Sequence, residues 1–180
     1  MIRCLRDKQK STKKSKSSKT DSSPLSVATD GIDIMDWKEQ VTLENGSKVD
    51  VTINTWDFAG QTVYYTTHQF FLSERSVFAV LFDVTDPDLS RLSYWMKSIH
   101  SRIAKPTVIL VGTHSDCKEA SAPGYMDDVS ARVNSICQKY RSSVKALLFV
   151  STKTKMNIDI LKKTVLTEAM KVCPVSPSFQ

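Results

Sequence analysis

Apolar and polar residues alternate from Val49 to Thr55, a period of two that is typical of a strand with one face in a core and the other in water. A second strand-like run precedes this one, and the two flank Asn45-Gly46, a dipeptide that favours a two-residue type I′ turn. The pattern therefore predicts a β-hairpin over residues 41–56. The hairpin leads directly into TWDFAGQ at 55–61.

Three later runs are short and almost continuously apolar, as central parallel strands covered on both faces are. They are Val77–Phe82, Thr107–Val111 and Val144–Val150. Apolar residues at steps of three and four predict the helices that follow these runs: Leu89, Leu92, Trp95, Ile99 and Ile103, then Val129, Val133, Ile136 and Tyr140, then Ile158, Leu161 and Val165. Asp86-Pro87 is a typical helix start, and a further short helix is expected after DFAGQ. The alternation predicts a doubly wound α/β fold, with a mostly parallel sheet, helices on both faces and one antiparallel edge strand.

The net charge of +6 lies entirely in the amino-terminal part of the chain. Residues 1–24 contain eight Lys or Arg and two Asp, whereas residues 25–180 contain 17 of each sign. A nucleic-acid-binding domain carries its excess charge on the fold, so nucleic acid is not an expected partner; binding of the basic tail to nucleic acid or acidic lipid is a minor alternative. We expect residues 1–24 to be a mobile Lys- and Ser-rich leader that starts with the end of a helix at 1–6. Residues 173–180 are typical of a linker.

The composition contains no signal for a membrane or a metal site. No apolar run approaches the ~20 residues of a membrane span, and the amino-terminus has no apolar signal region, so we expect a cytoplasmic protein. The four cysteines form no CxxC pair and the three histidines no HxxxH spacing. We therefore expect reduced thiols and no site built from these residues.

Polar residues follow three of the predicted strands at the point where each strand ends. Asp57 and Gly60 come after the hairpin, Thr113-His114-Ser115-Asp116 after the second apolar run, and Ser151-Thr152-Lys153 after the third. The carboxyl ends of such strands meet at one edge of the sheet, where α/β folds bind their ligands. The sequence therefore predicts one ligand site, with a phosphate and magnesium sensor in TWDFAGQ.

In this order and placement the motifs resemble those of the Roc domain, the Ras-like GTPase module of Roco proteins such as the leucine-rich-repeat kinases. The resemblance covers about residues 28–170. ATDGID at 28–33 with Asp36-Trp37 resembles the first switch, WDFAG the second switch, VGTHSD the guanine motif, and VSTK the last base-contacting loop. It implies a Ras-like P-loop GTPase fold, with the GTPase domain at residues 25–172.

The resemblance also assigns roles on the phosphate side of the site. Asp57 would hold Mg²⁺ through water, and Gly60 would offer its backbone N–H to the γ-phosphate. Gln61 would orient the attacking water, although an exposed polar residue on a loop is an equally plain interpretation. Thr29 would bind Mg²⁺ and the γ-phosphate. Asp30 departs from the small apolar residue expected beside it.

On the base side, the resemblance makes Asp116 the specificity residue. Its carboxylate would accept hydrogen bonds from guanine N1–H and the 2-amino group, and adenine would leave that charge unpaired at a cost of ~1–3 kcal/mol. Thr113 and His114 stand where generic GTPases carry Asn and Lys. Ser151, Thr152 and Lys153 would close over the base. Without the resemblance to this family, Asp116 would be interpreted as an ordinary loop or cap residue, and Ser151-Thr152-Lys153 as a turn at the end of a strand.

The sequence contains no GxxxxGK(S/T), the motif that supplies the phosphate-binding backbone N–H groups, a lysine and a magnesium-binding hydroxyl. We therefore expect an amino-terminally truncated Roc domain that lacks its phosphate loop and first strand. That strand would lie between the hairpin and the strand at 77–82. Without it, we expect either a gap or direct pairing of its two neighbours, and low stability of the chain alone.

Two functions remain open at this point. The first is a guanine nucleotide switch that binds GTP or GDP with Mg²⁺ and hydrolyses GTP, and that is inactive as this chain. The alternative is a non-catalytic pseudo-GTPase that acts as a protein-interaction module. The resemblance further implies a COR domain in the parent chain, dimerisation through that tandem, and a part in signal transduction.

Overall fold

The computed structural model describes residues 2–5, 32–42, 45–58 and 71–173, the first of these as backbone only. The strands are β1 (Ile2–Leu5), β2 (Ile32–Thr42), β3 (Lys48–Phe58), β4 (Ser76–Asp83), β5 (Thr107–Thr113) and β6 (Val144–Phe149). The helices are α1 (Ser90–Arg102), α2 (Tyr125–Cys137) and α3 (Ile158–Val172), with 3₁₀ turns at Glu119–Ser121 and Gln138–Tyr140. No helix in these ranges is long and apolar enough to cross a membrane.

The strands form one sheet in the order β2-β3-β1-β4-β5-β6. The three almost continuously apolar runs are β4, β5 and β6, which pair in parallel as predicted. Helices cover both faces: Leu92 of α1 shares a buried cluster with Phe78 of β4, and Val165 of α3 shares the other with Ile109 of β5. The predicted α/β fold with helices on both faces and an antiparallel edge strand, β2, is confirmed. The short helix expected after DFAGQ lies outside the described residues.

The hairpin is longer than predicted. β2 begins at Ile32 and pairs with β3 along its whole length, up to Thr42 opposite Lys48. Four residues of the predicted first switch lie in this strand: Ile32, Asp33, Asp36 and Trp37. This part of the switch is therefore strand rather than loop, because a continuous backbone ladder keeps it extended. Thr42 pairs with Lys48, and this register leaves an odd number of residues between the strands, so the two-residue turn at Asn45-Gly46 is wrong, although Gly46 has a positive φ of 80°.

The start of α1 also differs from the prediction. The helix begins at Ser90, whose backbone N–H and hydroxyl donate to the carboxylate of Asp88 at 2.9 and 2.8 Å. Asp86 accepts from the backbone N–H of Asp88 at 2.8 Å. Asp86-Pro87 thus forms the turn before the helix rather than its first residues.

The central position of the sheet is occupied by β1, where a missing strand was expected. Ile2–Leu5 were predicted to end a helix, but they pair antiparallel with both β3 and β4, with Ile2 opposite Thr55 and Val77. The helix prediction is wrong, and so are both expected outcomes, a full gap and direct pairing of β3 with β4. Two facing strand edges present unpaired N–H and C=O groups, which an extended apolar segment can satisfy.

β1 fills only part of that position. It lies opposite residues 52–55 of β3 but only residues 76–77 of β4. Toward the carboxyl ends of both strands lies a cavity of about 480 Å³, whose lining includes Trp56, Phe58, Val80, Trp95 and Asp57. The sheet is therefore continuous at its base and open between β3 and β4 at the edge where the ligand site is predicted.

Candidate functional site

The predicted site residues follow strands that run in one direction. β1 is antiparallel to both β3 and β4, so β3 is parallel to β4, and β5 and β6 continue the same direction. Asp57, Asp83, Thr113 and Ser151 accordingly lie at one edge of the sheet. This placement matches the position in which α/β sheets bind ligands.

Gly112, the next-to-last residue of β5, lets the side chains of neighbouring strand ends approach closely. A Cβ atom at this position would lie 2.6 Å from Cδ1 of Phe149 and 2.9 Å from Cγ1 of Val84. These distances are shorter than van der Waals contact, so only glycine fits unless the side chains of Phe149 and Val84 move. The glycine of VGTHSD therefore sets how closely the loops of the site approach one another.

Thr113 and His114 join the loop after β5 to the end of β4. The Thr113 hydroxyl donates to the carbonyl of Phe82 at 3.1 Å, and His114, with a positive φ of 61°, places Nδ1 3.1 Å from Oδ2 of Asp83. Asp83 also accepts from the backbone N–H and hydroxyl of Thr85 at 2.9 and 2.7 Å. Burial raises the pKa of Asp83, but the bonds from Thr85 and the charge of His114 outweigh it, so the pKa is lowered.

Asp116 lies against the loop that follows β6. The backbone N–H of Ser115 donates to the carbonyl of Val150 at 3.3 Å and so connects the two loops. A hydrogen bond from the Ser151 side chain is the main cause that lowers the pKa of Asp116, and the positive charge of Lys153 contributes less. Asp116 is therefore an exposed carboxylate that is ionised at neutral pH.

Hydrogen bonds to Ser151 and to Phe149 hold the loop after β6, whereas the residues at its tip are exposed. Ser151 is fully buried, and its hydroxyl accepts from the backbone N–H of Thr154 at 3.0 Å. Asn157, with a positive φ of 59°, donates from Nδ2 to the carbonyl of Phe149 at 2.8 Å. Thr152-Lys153 is left exposed above these contacts. A ligand over the loop would meet side chains on a fixed backbone.

The structure brings together six of the predicted site residues, in two adjoining loops: Thr113, His114, Asp116, Ser151, Thr152 and Lys153. Asp57 is exposed at the end of β3, beside the 480 Å³ cavity. Thr29, Gly60 and Gln61 lie outside the described residues, so their roles remain predictions.

Two residues that contact the site were missed in the sequence. Asp83 forms an ion pair with His114. The sequence contains a signal for a turn at Asp83, because this residue ends an apolar run and an Asp side chain commonly accepts from the backbone N–H two residues later, here that of Thr85. Asn157 supports the loop after β6 through Phe149. Its left-handed backbone leaves no signal in a single sequence, because Asn before a helix is more often read as an ordinary cap.

Comparison with known proteins agrees with this geometry. The family model described as "Ras of Complex, Roc, domain of DAPkinase" matches residues 9–116. The chain is 41% identical to the probable serine/threonine-protein kinase roco5 of Dictyostelium discoideum over 79% of its own length and 5% of the relative. It is 31% identical to leucine-rich repeat serine/threonine-protein kinase 1 of Caenorhabditis elegans over 83% of its length and 7% of that kinase.

A solved relative has the same fold. The structure of Methanosarcina barkeri Roco2 RocCORdC bound to GDP aligns with a TM-score of 0.57 and 28% identity, over 81% of this chain and 40% of that one. The chain thus spans only a small part of the relatives it matches. Because the family model matches more than half of the chain, and the fold and loops agree with it, this chain belongs to the Roc domain family of the Roco proteins.

Proposed function

We propose that the loops after β5 and β6 recognise the guanine base of GTP and GDP. The observation that carries this proposal is the exposed, ionised Asp116, in a loop that the Ser115 N–H joins to the loop after β6. Guanine presents N1–H and a 2-amino group as adjacent donors, which one carboxylate can accept together. Adenine presents an acceptor at N1, so it would leave the carboxylate without a partner. The solved relative that is bound to GDP supports this choice of base.

On the phosphate side, we propose that Asp57 holds Mg²⁺ brought by the nucleotide. An exposed carboxylate oxygen fits a hard cation that retains several waters. The described part of the chain contains no group of three or more His, Cys, Asp or Glu side chains that could hold a metal, so the nucleotide phosphates would complete the coordination. Thr29 is proposed as a further magnesium ligand and Gln61 as the residue that orients the attacking water.

We further propose that contacts to the base supply most of the affinity of this chain for nucleotides. The sequence has no GxxxxGK(S/T), and the several charge-assisted bonds of that motif are worth about 1.5–3 kcal/mol each. GTP hydrolysis, cytoplasmic signalling, association with a COR domain and dimerisation are proposed for the Roco protein of which such a domain is part. For this chain alone, we propose weak guanine binding and no measurable turnover.

Competition binding tests these proposals separately. Guanosine, GMP, GDP and GTP with Mg²⁺ are each titrated against a fluorescent guanine nucleotide, beside the matching adenine series. We expect guanine compounds to bind at least about fivefold more tightly than adenine compounds, as ~1–3 kcal/mol of discrimination implies. From guanosine to GTP we expect a change of less than about tenfold, since the phosphates would add little.

Asp116→Asn should abolish the preference for guanine, because an amide donates where the carboxylate accepts. Asp127→Asn is the matched control, since Asp127 is exposed on α2 and should leave the preference unchanged. Equal binding of guanine and adenine compounds would overturn the base site. A GTP affinity more than a hundredfold above that of guanosine would overturn only the statement about the phosphate side.

A further inference from the structure

A groove of about 640 Å³ lies at the edge of the sheet, between the carboxyl-terminal half of α2 and strand β6. Its lining includes the buried Leu110, the half-buried Leu147, and the polar Asn134 and Gln138 of the helix end. Cys137 also lines it, and burial raises the pKa of this thiol to about 11, so it is uncharged at neutral pH. The bottom of the groove is therefore apolar, and Asn134, Cys137 and Gln138 on its helix side carry no charge. Its volume is within the roughly 300–1,000 Å³ of ligand sites.

The backbone edge of β6 borders this groove and has no partner strand in the described part of the chain. Val150 donates its N–H inward to Gly112 at 2.8 Å, so strand alternation directs the N–H and C=O groups of Leu147 and Phe149 outward. The carbonyl of Phe149 already accepts from Asn157. Leu147 therefore presents a donor and an acceptor to an incoming strand.

The charges at the groove are all of one sign. Arg141 and Lys145 are exposed and line it, and no Asp or Glu among the described residues does. Neither cation forms an ion pair with a described carboxylate, and Lys145 donates only to the carbonyl of Ser142, at 2.9 Å. An unpaired strand edge, an apolar floor and two unpaired cations thus occur in one place.

We propose that this groove binds an extended peptide segment that carries carboxylates, which adds to β6 as a further strand. Main-chain hydrogen bonds would form at Leu147, alternate apolar side chains would cover Leu110, and carboxylates would meet Arg141 and Lys145. Symmetric pairing with β6 of a second copy would bring the same cations together, which disfavours it. A nucleic acid would offer phosphates but no backbone ladder for the strand edge.

Fluorescence anisotropy with the labelled peptide Glu-Val-Asp-Val-Glu-Val-Asp tests the proposal on the whole chain. We expect saturable binding that weakens at least about tenfold in the double variant Arg141→Glu, Lys145→Glu. The matched control is Lys162→Glu, Lys163→Glu, which makes the same charge change at exposed positions of α3, on the other face of the sheet. It should change the affinity by less than about twofold beyond the general effect of net charge.

A second measurement on the unaltered protein does not depend on the folding of any variant. The same peptide methylated on alternate backbone nitrogens should bind at least about tenfold more weakly, because it cannot complete the ladder. Equal binding of the two peptides, or displacement by a thymidine octanucleotide as effective as displacement by the unlabelled peptide, would show charge attraction only and overturn the proposal. Absence of peptide binding, together with concentration-dependent sedimentation that the double reversal suppresses, would instead assign the groove to a second copy.

Discussion

The two halves of the sheet differ in how fully they are packed. Val108, Ile109, Leu110 and Val111 of β5 are at most 1% exposed, with helices on both faces. In β2, Ile34 and Met35 are 51% and 54% exposed, and no described strand pairs with its outer edge. Between the halves, β1 contributes four residues and leaves a cavity toward the ligand edge.

This difference separates the two sides of the candidate nucleotide site. The loops after β5 and β6 follow strands of the well-packed half, are joined by the backbone bond from Ser115 to Val150, and are held by further side-chain bonds of Thr113 and Ser151. Asp57, on the phosphate side, follows a strand of the less covered half. A rigid frame suits recognition of one base, whereas a region that responds to the γ-phosphate must be able to change conformation at low cost.

The largest expected effect comes from Gly112→Ala, which tests how tightly the β4, β5 and β6 ends are packed. The new methyl group would lie 2.6 Å from Phe149, and such overpacking costs roughly 2–3 kcal/mol of unfolding free energy. Urea denaturation measures the loss.

The control for Gly112→Ala is Gly46→Ala, in the hairpin of the other half. Gly46 has open space around its Cβ position and a φ of 80°, so only backbone strain of about 1 kcal/mol is expected. If the loss at Gly112 did not exceed the loss at Gly46, the strand ends would be able to move apart and the packed half would be less rigid than described.

Hydrogen exchange compares the two halves directly. We expect amides of β4 and β5 to exchange at least about thirtyfold more slowly than those of β2 and β3, because fewer buried contacts must break to open the hairpin. Amide exchange followed by NMR or mass spectrometry measures this ratio. Uniform protection across the sheet would mean that β1 joins both halves into one cooperative unit, and it would also contradict the expected low stability of the chain alone.

Ser151→Ala tests the contact between the two base loops through pH. In the folded protein the pKa of Asp116 lies below its ordinary value of 3.8, so its ionised form adds stability above that value, and the contribution is lost as pH falls through the lowered pKa. Without the Ser151 hydroxyl, the pKa should rise toward the ordinary value. Carboxyl-carbon NMR titration measures it, with the exposed Ser142→Ala as a control that should leave the pKa unchanged.

The smallest effect is expected from His114→Gly. Glycine relieves the strain of the positive φ of 61° but removes the contact with Asp83. The side chains of His114 and Asp83 are 65% and 38% exposed, and such exposed pairs contribute ~0–1 kcal/mol to stability. We expect these changes to cancel within about 0.5 kcal/mol in thermal or urea unfolding. Lys155→Gly removes a similar strain, at φ 64°, without an ion pair, and should be stabilising by comparison. A loss above about 1 kcal/mol for His114→Gly would show that the pair with Asp83 contributes more than exposed pairs do.

Much of the fold could be predicted because local patterns have one structural solution. Val77–Phe82 is entirely apolar and Thr107–Val111 is apolar after its first residue, so both fit strands covered on both faces, and they are β4 and β5. The stripe that includes Leu92 and Ile99 has the period of a helix and became the buried face of α1. The placement of VGTHSD and VSTK at one edge of the sheet was predicted for a related reason, since they lie at the carboxyl ends of such strands.

The predictions that were wrong concern segments whose structure depends on a partner distant in sequence. Ile2–Leu5 could end a helix or form a strand, and only the open edges of β3 and β4 favour the strand. The extent of β2 from Ile32 likewise depends on pairing with β3. The contact of His114 with Asp83 joins residues 31 positions apart, and no local pattern indicates it.

The sequence by itself therefore determined the parallel strands, the helices that cover them, and the family motifs, because apolar periodicity and residue type act locally. Only the tertiary structure decided that β1 enters the sheet antiparallel, that Gly112 lies against Phe149 and Val84, and that Ser115 bonds to Val150. Each of these depends on backbone edges or side chains that meet across strands, and their free energies are settled by the assembled sheet rather than by neighbours along the chain.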